Sequence, residues 1–324
     1  MKINFGLAIN QALHQLFSTD ENIMLIGQGV KSPWYVGNTC TGLIDRFGEN
    51  RVIDTPVSEN AMTGIAVGSA ITGMKSIVVH PRVDFVLYAM DPIINQAANW
   101  HFMNGGKSCV PVVFWLIINR GGEQAAQHSQ ALHALFTHIP GLKVIAPSTP
   151  YDVKGMLVSA INDMNPVVFI DDRWLYRFDE DVPEELYKIP LGKGVVRNSG
   201  NDLTIVSFSY TAKLCEEAVK ELQKYNISAE FIDLRTIKPL DEDIILNSVN
   251  KTGRLLIVDG AWRFNGVSSE IAAIIAEKAF NKLKAPLRRL TLPDTPAPAS
   301  STLEDVYYIK SSDIVKSAIE ILKF

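Results

Sequence analysis

Glu59 is the side chain in this sequence whose setting best suits it to act on a bound molecule. It lies in D-T-P-V-S-E-N-A-M-T-G, from Asp54 to Gly64. Pro56 fixes the approach, Ser58 can cap a helix, and Glu59 then opens that helix. The small residues of G-I-A-V-G-S-A, Gly64 to Ala70, let the helix lie close against another surface. An acid at the mouth of such a small-residue pocket can hydrogen-bond a heterocycle. An acid in a first helical turn can equally do no more than face the helix dipole. His128, in Q-H-S-Q (Gln127 to Gln130), follows the glycine pair Gly121 and Gly122. Imidazole moves protons near neutral pH, and a hydrogen-bonded loop histidine is the alternative. His133 and His138 read as packing or capping residues. Phe85, in D-F-V-L-Y-A-M-D, can offer a ring face to a planar ligand or belong to the core. N-D-M-N-P, Asn162 to Pro166, gathers carbonyl and amide oxygens that suit a monovalent cation or simply a turn.

Several chemistries are absent. No G-x-G-x-x-G follows a strand, and there is no G-x-x-x-x-G-K-[ST], so dinucleotide and phosphate-loop fingerprints are missing. No G-x-S-x-G elbow and no H-E-x-x-H helix occurs. Cys40, Cys109 and Cys215 stand far apart, with no C-x-x-C pair and no metal spacing, which reads as a reducing compartment. A net charge of -4 argues against nucleic acid, whose phosphates need a basic surface. The N-terminal stretch lacks the apolar core of a signal peptide. No apolar run approaches the roughly 18–20 residues of a membrane span. The cytoplasm is the expected location, with no membrane partner.

The elements that must position these residues read as α/β. The chain has 324 residues and is 47% hydrophobic, which suits about two domains at roughly 100–200 residues each. Residues 3–18 carry helical apolar spacing. Ile23 to Ile26, Ile77 to Val79, Val110 to Ile118, Leu142 to Ala146 and Val167 to Ile170 are apolar, strand-like runs. Helical stretches are expected around 59–73, 85–104 and 150–162. Such alternation with fully apolar strands predicts a parallel sheet covered on both faces. From Asp171 to about Asp202, charges and prolines suggest the domain link. Strands then recur at Leu203 to Phe208, Ala229 to Ile232 and Leu255 to Val258, with helices at 211–224, 241–249, 266–281 and 311–322. The expected division is 1–187 and 188–324.

Over nearly its whole length the chain resembles one family: the β subunits of the thiamine diphosphate-dependent component of 2-oxo acid dehydrogenases, in the transketolase-like group. The matching runs are R-V-I-D-T-P-V-S-E (51–59), D-P-I-I-N-Q-A-A (91–98), A-Q-H-S-Q (126–130), P-G-L-K-V-I-A-P (140–147), S-A-I-N-D-M-N-P-V-V-F (159–169), L-R-T-I-K-P-L-D (234–241) and K-T-G-R-L-L-I-V (251–258). The resemblance implies a pyrimidine-binding domain followed by a transketolase C-terminal-like domain. It implies that Glu59 hydrogen-bonds the aminopyrimidine and favours its imino tautomer, which takes the proton from the thiazolium carbon. Carbon dioxide then leaves because that ring holds the electron pair. Phe85 would pack on the aminopyrimidine, and His128 would assist near the reacting carbon or in acyl transfer to a lipoyl carrier. Val112, Ala160, Ile161, Asp163 and Asn165 resemble the family's monovalent-cation loop, a potassium site built mostly from backbone carbonyls.

In this group a G-D-G…N motif holds the diphosphate and its magnesium, and this chain has no G-D-G. The resemblance therefore implies an α subunit that holds them, in an α2β2 heterotetramer with a β–β contact and a lipoyl acyltransferase core as a further partner. Three departures bear on the pocket. Gln28 stands where the family usually carries an acid, next to the cofactor. H-P-R-V-D (His80 to Asp84) and W-L-I-I-N-R (Trp115 to Arg120) replace an aromatic-rich and a glycine-rich run. Arg82, Trp115 and Arg120 become candidates for the substrate pocket, with Arg82 or Arg120 available to a carboxylate. They leave pyruvate, branched-chain 2-oxo acids and acetoin open as substrates. The alternatives are a split transketolase-like or carboligating subunit, and a scaffold for an α partner.

Overall fold

The computed structural model describes residues 1–324 as two units. The first comprises residues 1–120 and 135–191, and the second comprises residues 121–134 and 192–324.

In the main sheet of the first unit the strands are parallel. Their spatial order is Lys143–Ile145, Val167–Asp172, Val112–Ile118, Lys75–His80, Ile23–Gln28 and Val52–Thr55. V-V-F-W-L-I-I of Val112–Ile118 is buried at every position, because helices cover both faces of a parallel sheet. Helix Phe5–Thr19 starts where Asn4 Oδ1 accepts the Leu7 N–H at 2.8 Å. Helix Pro150–Ile161 starts where Thr149 accepts the Asp152 N–H and proline fills the first turn. These two helices pack on each other. Residues 85–104, expected as one helix, are three segments: a 3₁₀ turn Val83–Ala89, a π segment Asp91–Ala97 and a short α-helix Ala98–Met103. Pro92 lacks an N–H and can only begin a helical segment, so the first one stops before it.

The second unit is also α/β. Its strands run in the order Arg288–Leu292, Leu255–Trp262, Leu203–Ser207, Ala229–Asp233 and Val195–Asn198, parallel except for the last. Helices Ser209–Gln223, Glu242–Thr252, Val267–Lys278 and Ser311–Ile321 flank them. The expected link region carries structure of its own. Asp179–Asp181 pairs antiparallel with Lys2–Asn4 in the first unit, and Val195–Asn198 is the sheet edge of the second. No helix is long and apolar enough to cross a membrane.

Candidate active site

Parallel pairing brings the carboxyl ends of the first unit's strands to one edge. Gln28 lies opposite Thr55, His80 opposite Leu116, and Ile118 opposite Asp172. In open α/β sheets, ligands bind outside that edge. Glu59 is four residues beyond Thr55 and begins helix Glu59–Ile71. Ser58 holds the N-cap position, but its hydroxyl makes no capping bond. The turn closes instead through the main chain, with the Met62 N–H on the Ser58 carbonyl at 3.0 Å. Glu59 is half-buried, and no ion pair within the chain occupies its carboxylate.

The helix is fastened to the sheet from beneath. Met62, Thr63, Ala66, Val67 and Ala70 face inward. Thr63 Oγ1 lies 3.1 Å from Nε2 of His80, the last residue of its strand. His80 is fully buried, and that burial pushes its pKa down to about 3, so the imidazole is neutral. Its Nδ1 has no hydrogen-bond partner. The opposite face of the helix, Ala61, Gly64, Ile65 and Gly68, is exposed, and a Cβ added at Gly64 or Gly68 would meet nothing within 4 Å.

A second buried polar group lies under the same edge. Asp171 Oδ2 accepts from Trp115 Nε1 at 2.9 Å and from the Tyr176 hydroxyl at 2.7 Å. Burial raises the Asp171 carboxyl to about 6 against the lowering effect of those two donors. Trp115, expected in the substrate pocket, is fully buried and stacks on Phe169 with ring centroids 5.8 Å apart. It sits mid-strand in a sheet covered on both faces, so its side chain packs in the core and not on a pocket wall. Arg120 is also buried, with Nη2 2.9 Å from Asp172 Oδ2 and its guanidinium over Trp174. Arg82 is the half-buried cation of this group, donating to the Pro81 carbonyl at 2.9 Å. Burial, with Arg173 nearby, lowers its pKa. Gln28 is half-buried at its strand end, and the Asp54 carboxylate holds the loop beyond it through the Val30 N–H at 3.1 Å. Phe85 is half-buried in Val83–Ala89, which packs on helix Glu59–Ile71.

Val112 and the residues 160–165 lie at the amino ends of the first unit's strands. Val112 opens its strand at the amino end, where Val110 donates to the Met164 carbonyl. Ala160 and Ile161 end helix Pro150–Ile161. Asp163 Oδ1 accepts the Asn165 N–H at 2.9 Å, while Asp163 Oδ2 pairs with Lys143. Lys75 Nζ takes the Asn162 amide oxygen at 3.0 Å. His128 belongs to the second unit, half-buried in the segment 121–134. Gly121 and Gly122 have φ of 76° and 65°, and Glu123 and Ala125 also adopt positive φ, 61° and 58°. Such backbone persists where surroundings hold it. Here the Glu123 N–H donates to Glu304 Oε1 at 3.0 Å, the Ser301 N–H donates to Glu123 Oε1 at 2.9 Å, and His133 Nε2 lies 3.1 Å from buried Asp259.

Residues 1–179 match the transketolase pyrimidine-binding domain, and residues 192–314 match the transketolase C-terminal domain. The β subunit of acetoin:2,6-dichlorophenolindophenol oxidoreductase from Cupriavidus necator is 41% identical over 99% of this chain and 98% of its own. The corresponding Bacillus subtilis subunit is 40% identical over 99% and 97%. The pyruvate dehydrogenase E1 component subunit β of Rickettsia felis is 40% identical over 98% and 97%. The chain belongs to the β subunits of thiamine diphosphate-dependent 2-oxo acid dehydrogenases. The fold also matches a solved split-gene transketolase, described as an inactive β4 tetramer, with a TM-score of 0.81 and 20% identity over 99% of this chain and 98% of that one.

The residues of this β subunit fit the pyrimidine end of thiamine diphosphate. An uncommitted carboxylate begins a helix at the carboxyl edge of the sheet, and a half-buried phenyl ring lies on a turn packed against that helix. In the N-D-M-N-P stretch ammonium groups occupy the Asn162 and Asp163 side chains, so those two residues would offer a monovalent ion only their main-chain oxygens. Sequence reading did not find the His80–Thr63 and Asp171–Trp115–Tyr176 groups. The one local signal was an acid pair closing the apolar run V-V-F-I-D-D.

Proposed function

We propose that this β subunit forms the aminopyrimidine half of a thiamine diphosphate site and turns over only beside an α-type subunit, in an α2β2 assembly. The observation that carries the proposal is Glu59: half-buried, unpaired, and held at the carboxyl edge by the Thr63–His80 contact. The cofactor supplies a carbon acid and an electron sink. Glu59 would hydrogen-bond the aminopyrimidine nitrogen and favour the base form of its amino group. Phe85 covers the ring. Gln28, a neutral amide, lines the same edge. Arg82 meets the carboxylate of a small 2-oxo acid, since Arg120 is committed to Asp172. His128 assists acyl transfer to a lipoyl carrier on an acyltransferase core. Val112, Ala160, Ile161, Asp163 and Asn165 hold a potassium ion that stiffens the amino edge.

The partner follows from two features. No G-D-G motif is present for the diphosphate and magnesium, which the α subunit would hold. The bare face of Gly64 and Gly68 allows a second backbone to approach closely. Co-expression with an α-type chain, assayed as 2-oxo acid-dependent reduction of an artificial acceptor, tests the reading. Glu59→Gln in the reconstituted complex is expected to lower kcat by about 100-fold or more, the scale of a lost proton-transfer group. Unchanged kcat would overturn the assignment of Glu59.

A further inference from the structure

The second unit carries a cavity that the thiamine chemistry leaves unused. It has a volume of about 710 Å³ and opens beside the edge strand Arg288–Leu292, between helices Val267–Lys278 and Ser311–Ile321. That volume falls within the roughly 300–1,000 Å³ of small-molecule sites. Its polar lining is Arg263, Ser269, Arg288, Arg289 and Ser317, with no carboxylate.

The three guanidiniums differ in how they are held. Arg289 Nη1 donates to Ser269 Oγ at 2.6 Å and to the Arg263 carbonyl at 3.2 Å, which fixes its plane. Arg288 pairs with Glu320. Arg263 is exposed, and its guanidinium has no partner in the chain. Three cations and one paired anion leave two positive charges on one small wall, in a chain whose net charge is -4. Like charges so close repel, and a bound anion removes the repulsion.

We propose that this cavity binds a small phosphorylated compound through its phosphate. A guanidinium offers paired N–H donors that match phosphate oxygens. A phosphate dianion neutralises both uncompensated charges, and Ser269 and Ser317 bring hydroxyls to the same wall. A monocarboxylate would neutralise only one. The site lies wholly in the C-terminal unit, among residues that have no part in the thiamine site.

The test uses the full-length chain and two probes, inorganic phosphate and glycerol 3-phosphate. Each is titrated by calorimetry and thermal shift at ionic strength held constant with chloride. Saturable binding of both is expected, with acetate giving none. Arg263→Gln is expected to weaken phosphate binding about tenfold or more, the scale of a lost charge-assisted hydrogen bond. Its melting temperature in chloride should not fall below the parent value, because Arg263 holds nothing in place and its loss relieves the repulsion. Non-saturating heats, equal response to acetate, or undiminished affinity in Arg263→Gln would each overturn the proposal. Binding of inorganic phosphate without glycerol 3-phosphate would overturn the ester and leave a site for the free ion.

Discussion

His80→Gln isolates what it costs this fold to keep an imidazole neutral beneath its active-site helix. Burial carries the folded His80 pKa to about 3, against an ordinary 6.5. Between those values the unfolded chain binds a proton that the native chain refuses. Stability contributed by the neutral ring is therefore complete above pH 6.5 and lost as pH falls toward 3, at a limiting slope of about 1.4 kcal/mol per pH unit. By about pH 4.5 the loss reaches about 3 kcal/mol, a large share of a typical folding stability of ~5–15 kcal/mol. Glutamine does not titrate and can still bond the Thr63 hydroxyl, which now lies 3.1 Å from Nε2. At neutral pH the variant should be the less stable protein, because glutamine fills the ring's space poorly. The assay is the difference in urea unfolding free energy between parent and variant at each pH, which cancels every other titrating group. That difference should move by about 3 kcal/mol in the variant's favour between neutral pH and about pH 4.5. A difference that stays constant with pH would refute the reasoning, since it would mean that the ring gains its proton without penalty.

Asp171→Asn should show the opposite sign. The native carboxyl titrates at about 6 against an ordinary 3.8, so the native state binds the extra proton. Asp171 therefore weakens the fold as pH rises from about 4 to about 6, by about 3 kcal/mol in all. Asparagine should remove that slope while its amide oxygen still accepts from Trp115 and Tyr176, and a steeper slope in the same unfolding assay would contradict the reading. Gly64→Leu should stabilise the isolated chain by about 0.5–1 kcal/mol through helix propensity, yet abolish recovery of the complex with an α-type subunit by size-exclusion chromatography. Recovery at the parent level would mean that this face is not the contact. Arg82→Gln should raise KM for a 2-oxo acid about tenfold or more with little change in kcat. An unaltered KM would remove Arg82 from the pocket.

What could be read from the sequence was whatever a short window encodes. Val112–Ile118 and Val167–Asp172 announced themselves because a doubly covered strand must be apolar throughout. Val52–Thr55 was less visible as a strand: it lies at the sheet edge, is only partly buried, and carries Asp54. Glu59 was legible as the opening of a helix, but the hydroxyl expected to cap it does not. The partners that hold the site in place lie 17 residues apart for Thr63 and His80, and 56 apart for Trp115 and Asp171. Pairs at such spacing exist only once the sheet has assembled. Trp115 was expected on a pocket wall for the same reason: a substituted motif shows that a wall has changed, while the direction of a side chain is set by strand pairing.

The segment 121–134 has a consequence for how this protein is made. The polypeptide leaves the first unit after Arg120, returns at Leu135 and leaves again at Gly192. Glu123, His133 and Gly121 are tied to residues 259–308, which a ribosome delivers more than a hundred residues later. These contacts of the loop bearing His128 can therefore form only after residues 259–308 have been made. No single cut at the 191/192 boundary would yield two complete pieces, since the first fragment would keep a loop whose moorings stay with the second.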